Sequence, residues 1–156
     1  GGIMKKTSLC YLEKDGKYLM LHRVKKDNDE NTGKWIGVGG KFEEGESPEE
    51  CAAREIYEET GLTANKLVYR AVITFDMQGN QTEYMHLFTC TDFSGKLNAD
   101  CDEGVLKWVD KADVMGLSLW EGDRIFLEEM TKRNGFFSLK LSYENDRLCK
   151  STLCRY

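Results

Sequence analysis

The stretch GKFEEGESPEECAAREIYEETGL, at residues 40–62, constrains the fold of this chain more than any other part of the sequence. Ser47 and Glu50 predict a helix that begins at Pro48, because serine is a favoured N-cap and a glutamate three residues later closes a capping box. Proline also fits the first helical position, where its missing N–H costs nothing. Gly61 predicts the end of the helix, since glycine readily takes the left-handed C-cap conformation. The stretch therefore predicts a turn followed by one short, well-capped helix.

The predicted helix has two unlike faces. At about 100° per residue, three glutamates fall within one arc of roughly 100°: Glu55, Glu58 and Glu59. Three apolar residues point to another side, which we expect to face the core: Ala53, Ile56 and Tyr57. Arg54 precedes Glu58 by four residues, so its guanidinium can hold that carboxylate, and Glu46 can fold back toward the same face.

Carboxylates that converge without a countercharge destabilise one another, and the penalty grows when they are partly buried. A divalent cation removes this penalty. The alternative interpretation is a solvated acidic helix surface, but such a surface does not require the glycine turn, the single arginine, the cap and the apolar positions in this order. We therefore interpret the glutamates as a candidate site for Mg²⁺ or Mn²⁺, which prefer oxygen ligands and complete their shells with water and phosphate oxygens.

The length of 156 residues fits one domain, and we predict a single domain over residues 3–156. Gly1 and Gly2 are interpreted as a remnant of an expression vector and are left out of the fold prediction. No apolar run approaches the length of a membrane span or a signal-peptide core, so we expect no membrane partner and a cytoplasmic location. The choice between a monomer and a homodimer stays open.

Charge and composition narrow the function further. The net charge of −5 argues against a nucleic acid polymer as partner, because such binding requires a basic surface. A small phosphorylated ligand stays compatible with that charge, since metal ions can neutralise its phosphates. The six cysteines lack the paired spacing of a zinc site, so we expect reduced thiols, several of them buried, rather than a disulfide framework. His22 and His86 lie far apart in the sequence, which argues against a histidine-based metal site or nucleophile.

The rest of the chain is predicted to form short strands and one further helix. Two hairpins are expected, one from residues 6–12 and 17–23 and one from residues 66–77 and 83–91. The remaining predictions are a surface loop at 25–33, one apolar strand at 34–40, an acidic loop at 100–103, a strand at 106–109, an amphipathic helix at 123–132, and closing strands at 136–141 and 146–153. Mixed strands with two helices predict an α/β/α sandwich with a mixed β-sheet.

The spacing in residues 40–62 resembles the complete signature of the Nudix (MutT-like) hydrolases: Gly40, five residues, Glu46, seven residues, then REIYEETGL from Arg54. This resemblance implies the same α/β/α sandwich. It also implies a metal-dependent hydrolase that cleaves a phosphoanhydride in a nucleoside diphosphate linked to another group. The implied roles are metal ligation by Glu55, Glu58 and Glu59, orientation of these ligands by Arg54, and a further ligand or base at Glu46.

Other stretches resemble, less specifically, the Nudix enzymes that remove oxidised purine nucleoside triphosphates: WIGVGGK at 35–41, ITF at 73–75, HLF at 86–88, CDEGVLKW at 101–108 and LWEGD at 119–123. This resemblance implies that Glu103 adds a late carboxylate to the metal site, with the Gly39 carbonyl as a further candidate ligand. The implied substrate-binding residues are Thr7, Arg23, Ile36, Lys41, Phe75, Trp120 and Asp123. Two alternatives stay open: Trp120 and Phe75 as ordinary core aromatics, and Asp123 as a helix N-cap.

Two positions depart from that group. Its human member has an asparagine where this chain has Ile36, and two consecutive aspartates where this chain has Gly122 and Asp123. The leading hypothesis is hydrolysis of 8-oxo-dGTP or a similar oxidised purine nucleotide to the monophosphate and pyrophosphate, a reaction of nucleotide-pool sanitation and DNA repair. The alternatives are the same chemistry on ADP-ribose or another nucleoside diphosphate compound, and a nucleotide-binding module without turnover. Because every carboxylate of the signature is present, the sequence argues against the last alternative.

Overall fold

The computed structural model of the protein describes residues 4–25 and 31–156. Two predictions lie wholly or largely outside the described residues, namely the vector remnant at residues 1–2 and the polar loop at residues 25–33. The described elements are β1 (Lys5–Lys14), β2 (Lys17–Arg23), β3 (Trp35–Ile36), β4 (Val38–Lys41), α1 (Pro48–Thr60), β5 (Thr63–Met77), β6 (Glu83–Ser94), β7 (Asp100–Cys101), β8 (Gly104–Asp110), α2 (Lys111–Val114), α3 (Glu121–Lys132), β9 (Phe137–Glu144) and β10 (Arg147–Arg155).

The strands form one mixed sheet in the order β10-β9-β5-β6-β1-β2-β8-β7. β1 runs parallel to β6, and β5 runs parallel to β9. The other described pairs are antiparallel, including β4 with β1 and β3 with β2, which lie outside this order. The structure therefore confirms the mixed sheet and both hairpins, and it pairs the two closing strands as a third hairpin.

The central strands carry apolar side chains toward both faces of the sheet. On β1, Leu9 and Tyr11 belong to one core, while Cys10 and Leu12 belong to the other. Helix α3 contributes Phe126 and its neighbours to the first core, and helix α1 contributes Ala52 and Ile56 to the second. Strands with two covered faces are expected to be apolar throughout rather than alternating. A helix on each side of a mixed sheet is the α/β/α sandwich that the sequence predicted.

The first hairpin opens away from its turn. Asp15 and Gly16 have φ values of 53° and 74°, as expected in the type I′ turn of a two-residue hairpin. Two residue pairs next to the turn join β1 to β2. Farther along, β1 pairs with β4 and β6, whereas β2 pairs with β3 and β8. The short strands β3 and β4 therefore lie between β1 and β2, and this opening creates room for a cleft.

Residues 34–40, predicted as one strand, form two strands in different parts of the sheet. Trp35–Ile36 pairs with β2, whereas Val38–Lys41 pairs with β1. Gly37 lies between them, and a Cβ there would lie 2.8 Å from the Cys10 carbonyl oxygen. The chain thus crosses β1 at a distance that excludes a side chain. The prediction of one strand was wrong because apolar character does not show which neighbour each residue pairs with.

Shorter elements also differ from the prediction. The acidic segment at 100–103 contains β7, which pairs with β8, so it is not simply a loop. Helix α2 follows β8 and had no predicted counterpart. The second predicted helix is α3, which begins at Glu121 rather than at residue 123. Such short elements are decided by tertiary contacts more than by local propensity.

Two general features complete the fold. Cys10, Cys51 and Cys90 are buried, which confirms that several cysteines serve as apolar side chains. In residues 4–25 and 31–156, no helix combines the length and the apolar character that a membrane span requires.

Candidate active site

Helix α1 carries the candidate catalytic residues, and both of its ends are fixed as predicted. The Glu50 N–H donates a hydrogen bond to Ser47 Oγ at 3.1 Å, and the Ser47 N–H donates to Glu50 Oε1 at 3.0 Å. Gly61, with φ of 78°, ends the helix and donates its N–H to the Tyr57 carbonyl. These bonds satisfy backbone groups that a helix end otherwise leaves unpaired. The capped helix is therefore a fixed platform for its glutamates.

The buried face of α1 differs in part from the prediction. Ile56 is buried, but Tyr57 is 63% exposed, so its assignment to the core was wrong. Tyr57 follows Ile56 by about 100° around the helix, which turns it away from the sheet. Glu59 lies on the buried side and exposes only 9% of its surface. One of the three predicted glutamates is thus part of the interior.

Arg54 connects the carboxylates of the signature. Its Nε and Nη2 donate to the two carboxylate oxygens of Glu46, at 2.7 and 2.9 Å. Its Nη1 donates to Glu55 at 2.8 Å and to Glu58 at 3.2 Å. Nη2 also donates to the Lys41 carbonyl at 3.0 Å, which joins α1 to β4. The expected hydrogen bond to Glu58 exists. The bidentate contact with Glu46 is stronger, because it consists of two shorter hydrogen bonds.

The contact with Arg54 defines what Glu46 can do. Hydrogen bonds from Arg54 and from the Glu43 N–H lower the pKa of Glu46 to about 2. A carboxylate with so low a pKa accepts a proton poorly at neutral pH. The geometry therefore favours Glu46 as the anchor of Arg54 over the predicted role as a general base.

The carboxylate of Glu59 is buried. Neither of its oxygens receives a hydrogen bond from the described residues. The pKa of Glu59 is raised to about 10, mainly by burial and then by the neighbouring Glu103 and Glu55 carboxylates. Burial also raises the pKa of Glu55, although Arg54 opposes that change. Without a cation, such a cluster retains a proton that a bound cation would replace.

The chemistry of this cluster fits a divalent cation. The unpaired Glu59 carboxylate, with Glu55 and Glu103 beside it, offers the hard oxygen ligands that Mg²⁺ prefers. In the part of the chain that the structure describes, no three acidic, cysteine or histidine side chains converge in metal-ligand geometry. Arg54 instead contacts Glu55 and Glu58 through one nitrogen. A cation would therefore compete with Arg54 for these two carboxylates.

A cleft of about 630 Å³ collects most of the predicted site residues where β1 and β2 separate. The predicted residues that line it are Thr7, Arg23, Ile36, Gly39, Lys41, Arg54, Glu55, Phe75, Glu103, Trp120 and Asp123. Glu46 and Glu58 contact this cleft through Arg54, and Glu59 lies next to Glu103. The fold thus brings residues from β1, β4, α1, β5 and α3 to one pocket.

One end of the cleft is formed by β4 against α1. A Cβ on Gly39 would lie 1.9 Å from a carbonyl oxygen of β1, and a Cβ on Gly40 would lie 2.6 Å from the Glu55 carboxyl carbon. Only glycine leaves room for β4 between β1 and α1. Arg23 donates from Nη1 to Glu103 Oε2 at 3.2 Å, which places a cationic group at the same end. This end combines acidic side chains, backbone amides and a guanidinium.

Aromatic side chains form the other end. The Trp120 ring meets the Tyr143 ring edge-on, with centroids 6.1 Å apart, and its Nε1–H donates to Asn31 Oδ1 at 2.7 Å. Phe75 lies beside Tyr143 at 6.4 Å between centroids. Trp120 and Phe75 are half-buried and face the cleft, so they are not simply core aromatics. Such a wall can stack a planar base.

Asp123 lies in the first turn of α3 and lines the same end. The N-cap of α3 is Trp120, so the alternative that Asp123 caps the helix was wrong. Asp123 is 5% exposed, and its pKa is raised to about 7, first by burial and then by the charge of Glu83. Near neutral pH this carboxyl can therefore either donate or accept a hydrogen bond.

The cleft also contains residues that the sequence analysis did not select. Glu83 begins β6, and its position on the same strand face as the core residues Met85 and Leu87 was a usable signal. Asn31 and Tyr143 carried no such signal, because only the fold brings them to Trp120.

A family model and several similar proteins indicate the same family for this chain. The model of the NUDIX domain matches residues 5–130. An uncharacterized Nudix hydrolase, YvcI, of Bacillus subtilis (strain 168) is 29% identical over 144 residues, which cover 90% of this chain and 87% of that protein. The oxidized purine nucleoside triphosphate hydrolase of Danio rerio is 35% identical over 106 residues, which cover 67% of each chain.

Other relatives of this chain are named for different substrates, and a solved structure shows the same fold. A CTP pyrophosphohydrolase of Escherichia coli (strain K12) is 30% identical over 75% of this chain and 84% of its own length. An ADP-ribose pyrophosphatase of Bacillus subtilis is 34% identical over 51% of this chain and 42% of its own length. The crystal structure of a MutT protein from Bacillus halodurans superimposes with a TM-score of 0.87 at 24% identity, covering 96% of this chain and 97% of the other, and shows the same fold.

Proposed function

The chain belongs to the NUDIX family and is a Nudix hydrolase, and from that premise we propose that it is a Mg²⁺-dependent pyrophosphohydrolase of nucleoside triphosphates. The proposed substrate is 8-oxo-dGTP or a related oxidised purine nucleotide. The products are then the nucleoside monophosphate and pyrophosphate, and the proposed biological role is sanitation of the nucleotide pool.

One observation carries this proposal. A single cleft has a carboxylate cluster at one end and, at the other, an aromatic wall with a buried carboxyl group. The first end suits phosphate groups neutralised by metal ions, and the second suits a purine. A nucleotide is the small molecule that combines these two chemistries.

The carboxylates are proposed to hold the metal. Glu55, Glu58, Glu59 and Glu103 would be its protein ligands, with the Gly39 carbonyl as a further candidate. A bound divalent ion neutralises phosphate oxygens and lowers the pKa of coordinated water. Mn²⁺ offers similar ligand preferences.

The remaining residues at this end position and neutralise. Arg54 keeps Glu55 and Glu58 within reach of each other, and Glu46 fixes Arg54 by two hydrogen bonds. Arg23, which now pairs with Glu103, supplies a positive charge for a phosphate group. Lys41 lines the cleft beside Gly40 and adds a second cationic side chain. Such positioning provides much of the catalysis of phosphoryl transfer.

The aromatic end is proposed to bind the base. Trp120 and Phe75 supply stacking surface, Ile36 and Thr7 complete the walls, and Asp123 presents a hydrogen-bonding group to the base edge. Stacking accepts any purine, whereas a hydrogen bond to the edge can separate one purine from another. Asp123 is therefore the residue that we expect to favour the oxidised ring.

Two other substrates have support from relatives. The CTP pyrophosphohydrolase and the ADP-ribose pyrophosphatase show that proteins similar to this chain carry different named activities. All of these reactions use the same phosphoanhydride chemistry, so the base end of the cleft decides between them.

A nucleotide panel tests the proposal. The nucleoside monophosphate formed is quantified by ion-exchange chromatography, with Mg²⁺ and with EDTA, for 8-oxo-dGTP, dGTP, CTP and ADP-ribose; pyrophosphate is the second product of the triphosphates, and ribose 5-phosphate is that of ADP-ribose. We expect Mg²⁺-dependent release of pyrophosphate with the highest kcat/KM for 8-oxo-dGTP. Glu49→Gln, an exposed change on the same helix, is the matched control and should behave as wild type. A preference for CTP or ADP-ribose would contradict the proposed substrate but not the hydrolase.

A further inference from the structure

Glu83 occupies a central place in the base end of the cleft. It is the first residue of β6, opposite Phe75 on β5 and beside Lys5 on β1. Its side chain lines the cleft together with Asp123 and Trp120. Strands β5 and β1 flank β6 in the sheet, so hydrogen-bonded backbone on both sides fixes the position of the Glu83 Cα. The position is therefore defined by the sheet rather than by a loop.

Two contacts fix the carboxylate of Glu83 itself. Thr7 Oγ1 donates a hydrogen bond to Oε2 at 2.6 Å, and Lys5 Nζ lies 3.6 Å from Oε1. The side chain is only 18% exposed. A carboxylate has about four acceptor sites, so these two partners leave acceptor capacity on a residue that lines the cleft. Thr7 and Lys5 thus hold the Glu83 carboxylate, a hydrogen-bond acceptor, in place beside the aromatic wall.

Asp123 is the second carboxyl group at this end. Burial, and after it the charge of Glu83, raises the pKa of Asp123. Asp123 therefore keeps its proton on a large fraction of molecules at neutral pH, and Glu83 is the acceptor of the Thr7 hydrogen bond. One carboxyl group that accepts and one that donates form an asymmetric pair.

The edges of the bases differ in how they match such a pair. A carboxylate with two oxygens matches two adjacent N–H donors, as an arginine fork or a guanine edge provides. Guanine presents the N1–H and the 2-amino group side by side, next to the 6-oxo acceptor. Adenine and cytosine each present an amino group beside a ring-nitrogen acceptor, and uracil presents one N–H between two carbonyls. Only the guanine edge offers two donors followed by an acceptor.

We propose that Glu83 is a specificity-determining residue that accepts the N1–H and 2-amino hydrogens of a 2-amino-6-oxopurine nucleotide, while Asp123 faces the 6-oxo group. This inference rests on the proposed nucleotide hydrolase function and narrows its substrate class to guanine-type bases. It also assigns the second carboxylate of the base site to β6. The cytosine and adenine edges are disfavoured because they bring a ring-nitrogen acceptor to an anionic acceptor.

A purely structural role makes a different prediction. If Glu83 only pairs with Lys5 across the sheet, then removal of either partner should have similar effects on every substrate. If Glu83 reads the base, then only its own replacement should change discrimination. Lys5→Met is therefore the matched variant, because it removes the ion pair and leaves the Thr7 hydrogen bond to Glu83 in place.

The experiment compares dGTP with dITP, which lacks only the 2-amino group. The kcat/KM values of the wild type, Glu83→Gln and Lys5→Met are measured for both nucleotides. The affinities of dGMP and dIMP are measured by calorimetry in parallel. We expect the wild type to prefer dGTP over dITP and dGMP over dIMP by about tenfold or more. This is the effect expected when a hydrogen bond to a charged group is lost. Glu83→Gln should bring this ratio close to one, and Lys5→Met should preserve it.

The outcomes separate the two proposals. A wild type without preference for the 2-amino group, or an unchanged ratio in Glu83→Gln, would overturn the role of Glu83. Equal losses for both nucleotides in Glu83→Gln and in Lys5→Met would do the same, since they indicate a structural ion pair. Absence of turnover with every nucleotide would contradict the hydrolase, and the dGMP and dIMP affinities would then still decide the role of Glu83.

Discussion

Arg54 shows how one residue can organise a set of like charges. Its guanidinium contacts Glu46, Glu55 and Glu58, and it also reaches a backbone carbonyl of β4. A planar group with five donors can make these contacts together, whereas an ammonium group on a flexible stem cannot. The positions of the proposed metal ligands therefore depend on the shape of this side chain as well as on its charge.

Arg54→Lys should separate shape from charge. We expect turnover to fall by about tenfold or more, because Glu55 and Glu58 lose their common donor while the net charge is kept. The measurement is kcat and KM with saturating Mg²⁺. Arg147→Lys, which changes an exposed ion pair with Glu121, serves as the control and should keep wild-type kinetics. Unchanged kinetics in Arg54→Lys would show that Arg54 is only a surface partner.

Glu59 is the buried member of the cluster, and its replacement tests the proposed metal site. Glu59→Gln should lower turnover by about a hundredfold or more, since a ligand and its charge are lost. Its free energy of unfolding in EDTA should not fall by more than about 1 kcal/mol, because a buried carboxyl without a donor does not stabilise the fold. Chemical denaturation and pyrophosphate release provide the two measurements. Near-normal turnover in a folded variant would contradict a metal ligand at Glu59.

Asp123 should make stability depend on pH. Its pKa is raised from an ordinary value near 3.8 to about 7 in the folded state, so the folded protein binds more protons than the unfolded chain between these values. The free energy of unfolding should therefore fall as pH rises from about 4 to 7 and level off above, by a few kcal/mol. Asp123→Asn should remove this contribution and raise stability at pH 8 relative to pH 4.

Denaturation at several pH values gives the measurement for Asp123. Asp113→Asn, at an exposed position of α2, is the control and should keep the wild-type pH dependence. If the free energy of unfolding depends on pH in the same way in the wild type and in Asp123→Asn, a raised pKa at Asp123 is contradicted.

At the scale of elements, the site depends on the contact between β4 and α1. Strand β4 pairs with β1 on one side and lies against α1 on the other, and its two glycines make this possible. A bulkier strand would move the helix or its side chains. Gly40 of the signature, which lies in β4, therefore meets a packing requirement that sets where Glu55 can lie.

Gly40→Ala tests this contact directly. The added Cβ would lie within 2.6 to 2.8 Å of the Glu55 carboxyl group, which is the mobile end of a side chain and can move aside. We expect at least a tenfold loss of turnover, on the order expected for a displaced catalytic group, with only a small change in melting temperature. Gly116→Ala is the control, because its Cβ would meet only a carbonyl oxygen at 3.4 Å. A Gly40→Ala variant with normal turnover would show that Glu55 has no fixed role.

At the scale of the whole molecule, the cleft unites parts of the chain that fold against different faces of the sheet. Helix α1 packs on one core and α3 packs on the other. The cleft is lined by residues of both helices. The last strand is tied to α3 by Arg155, whose guanidinium donates to both Glu129 oxygens at 2.8 and 3.0 Å. A ligand that bridges the two ends of the cleft therefore couples to the stability of the whole domain.

Mg²⁺ should stabilise the folded protein, because only the folded chain brings the proposed ligands together. At a concentration a hundredfold above Kd, the gain is about 2.7 kcal/mol, which corresponds to a rise of roughly 5 to 10 °C in Tm for a domain of this size. Thermal unfolding with MgCl₂, and with KCl at equal ionic strength as control, provides the measurement. The rise should shrink in Glu58→Gln and Glu59→Gln. An equal rise in both variants would place the stabilising ion elsewhere.

The sequence by itself determined the local features. The capping box at Ser47 and Glu50, the C-cap at Gly61 and the turn at Asp15 and Gly16 were predictable, because each depends on residues only a few positions apart. The spacing of the carboxylates around Arg54 was readable for the same reason, since one helix fixes their separation. The α/β/α sandwich was also predictable, from strands mixed with two helices and from the resemblance to the Nudix signature.

Only the tertiary structure decided which side chains share a pocket and which are buried. The burial of Glu59, the exposure of Tyr57 and the division of residues 34–40 into two strands depend on neighbours that lie far away in the sequence. Glu83 and Asp123 come together because α3 covers the face of the sheet on which β6 begins. Sequence periodicity gives the direction of a side chain from its own backbone, but the group that it meets is set by packing across the sheet.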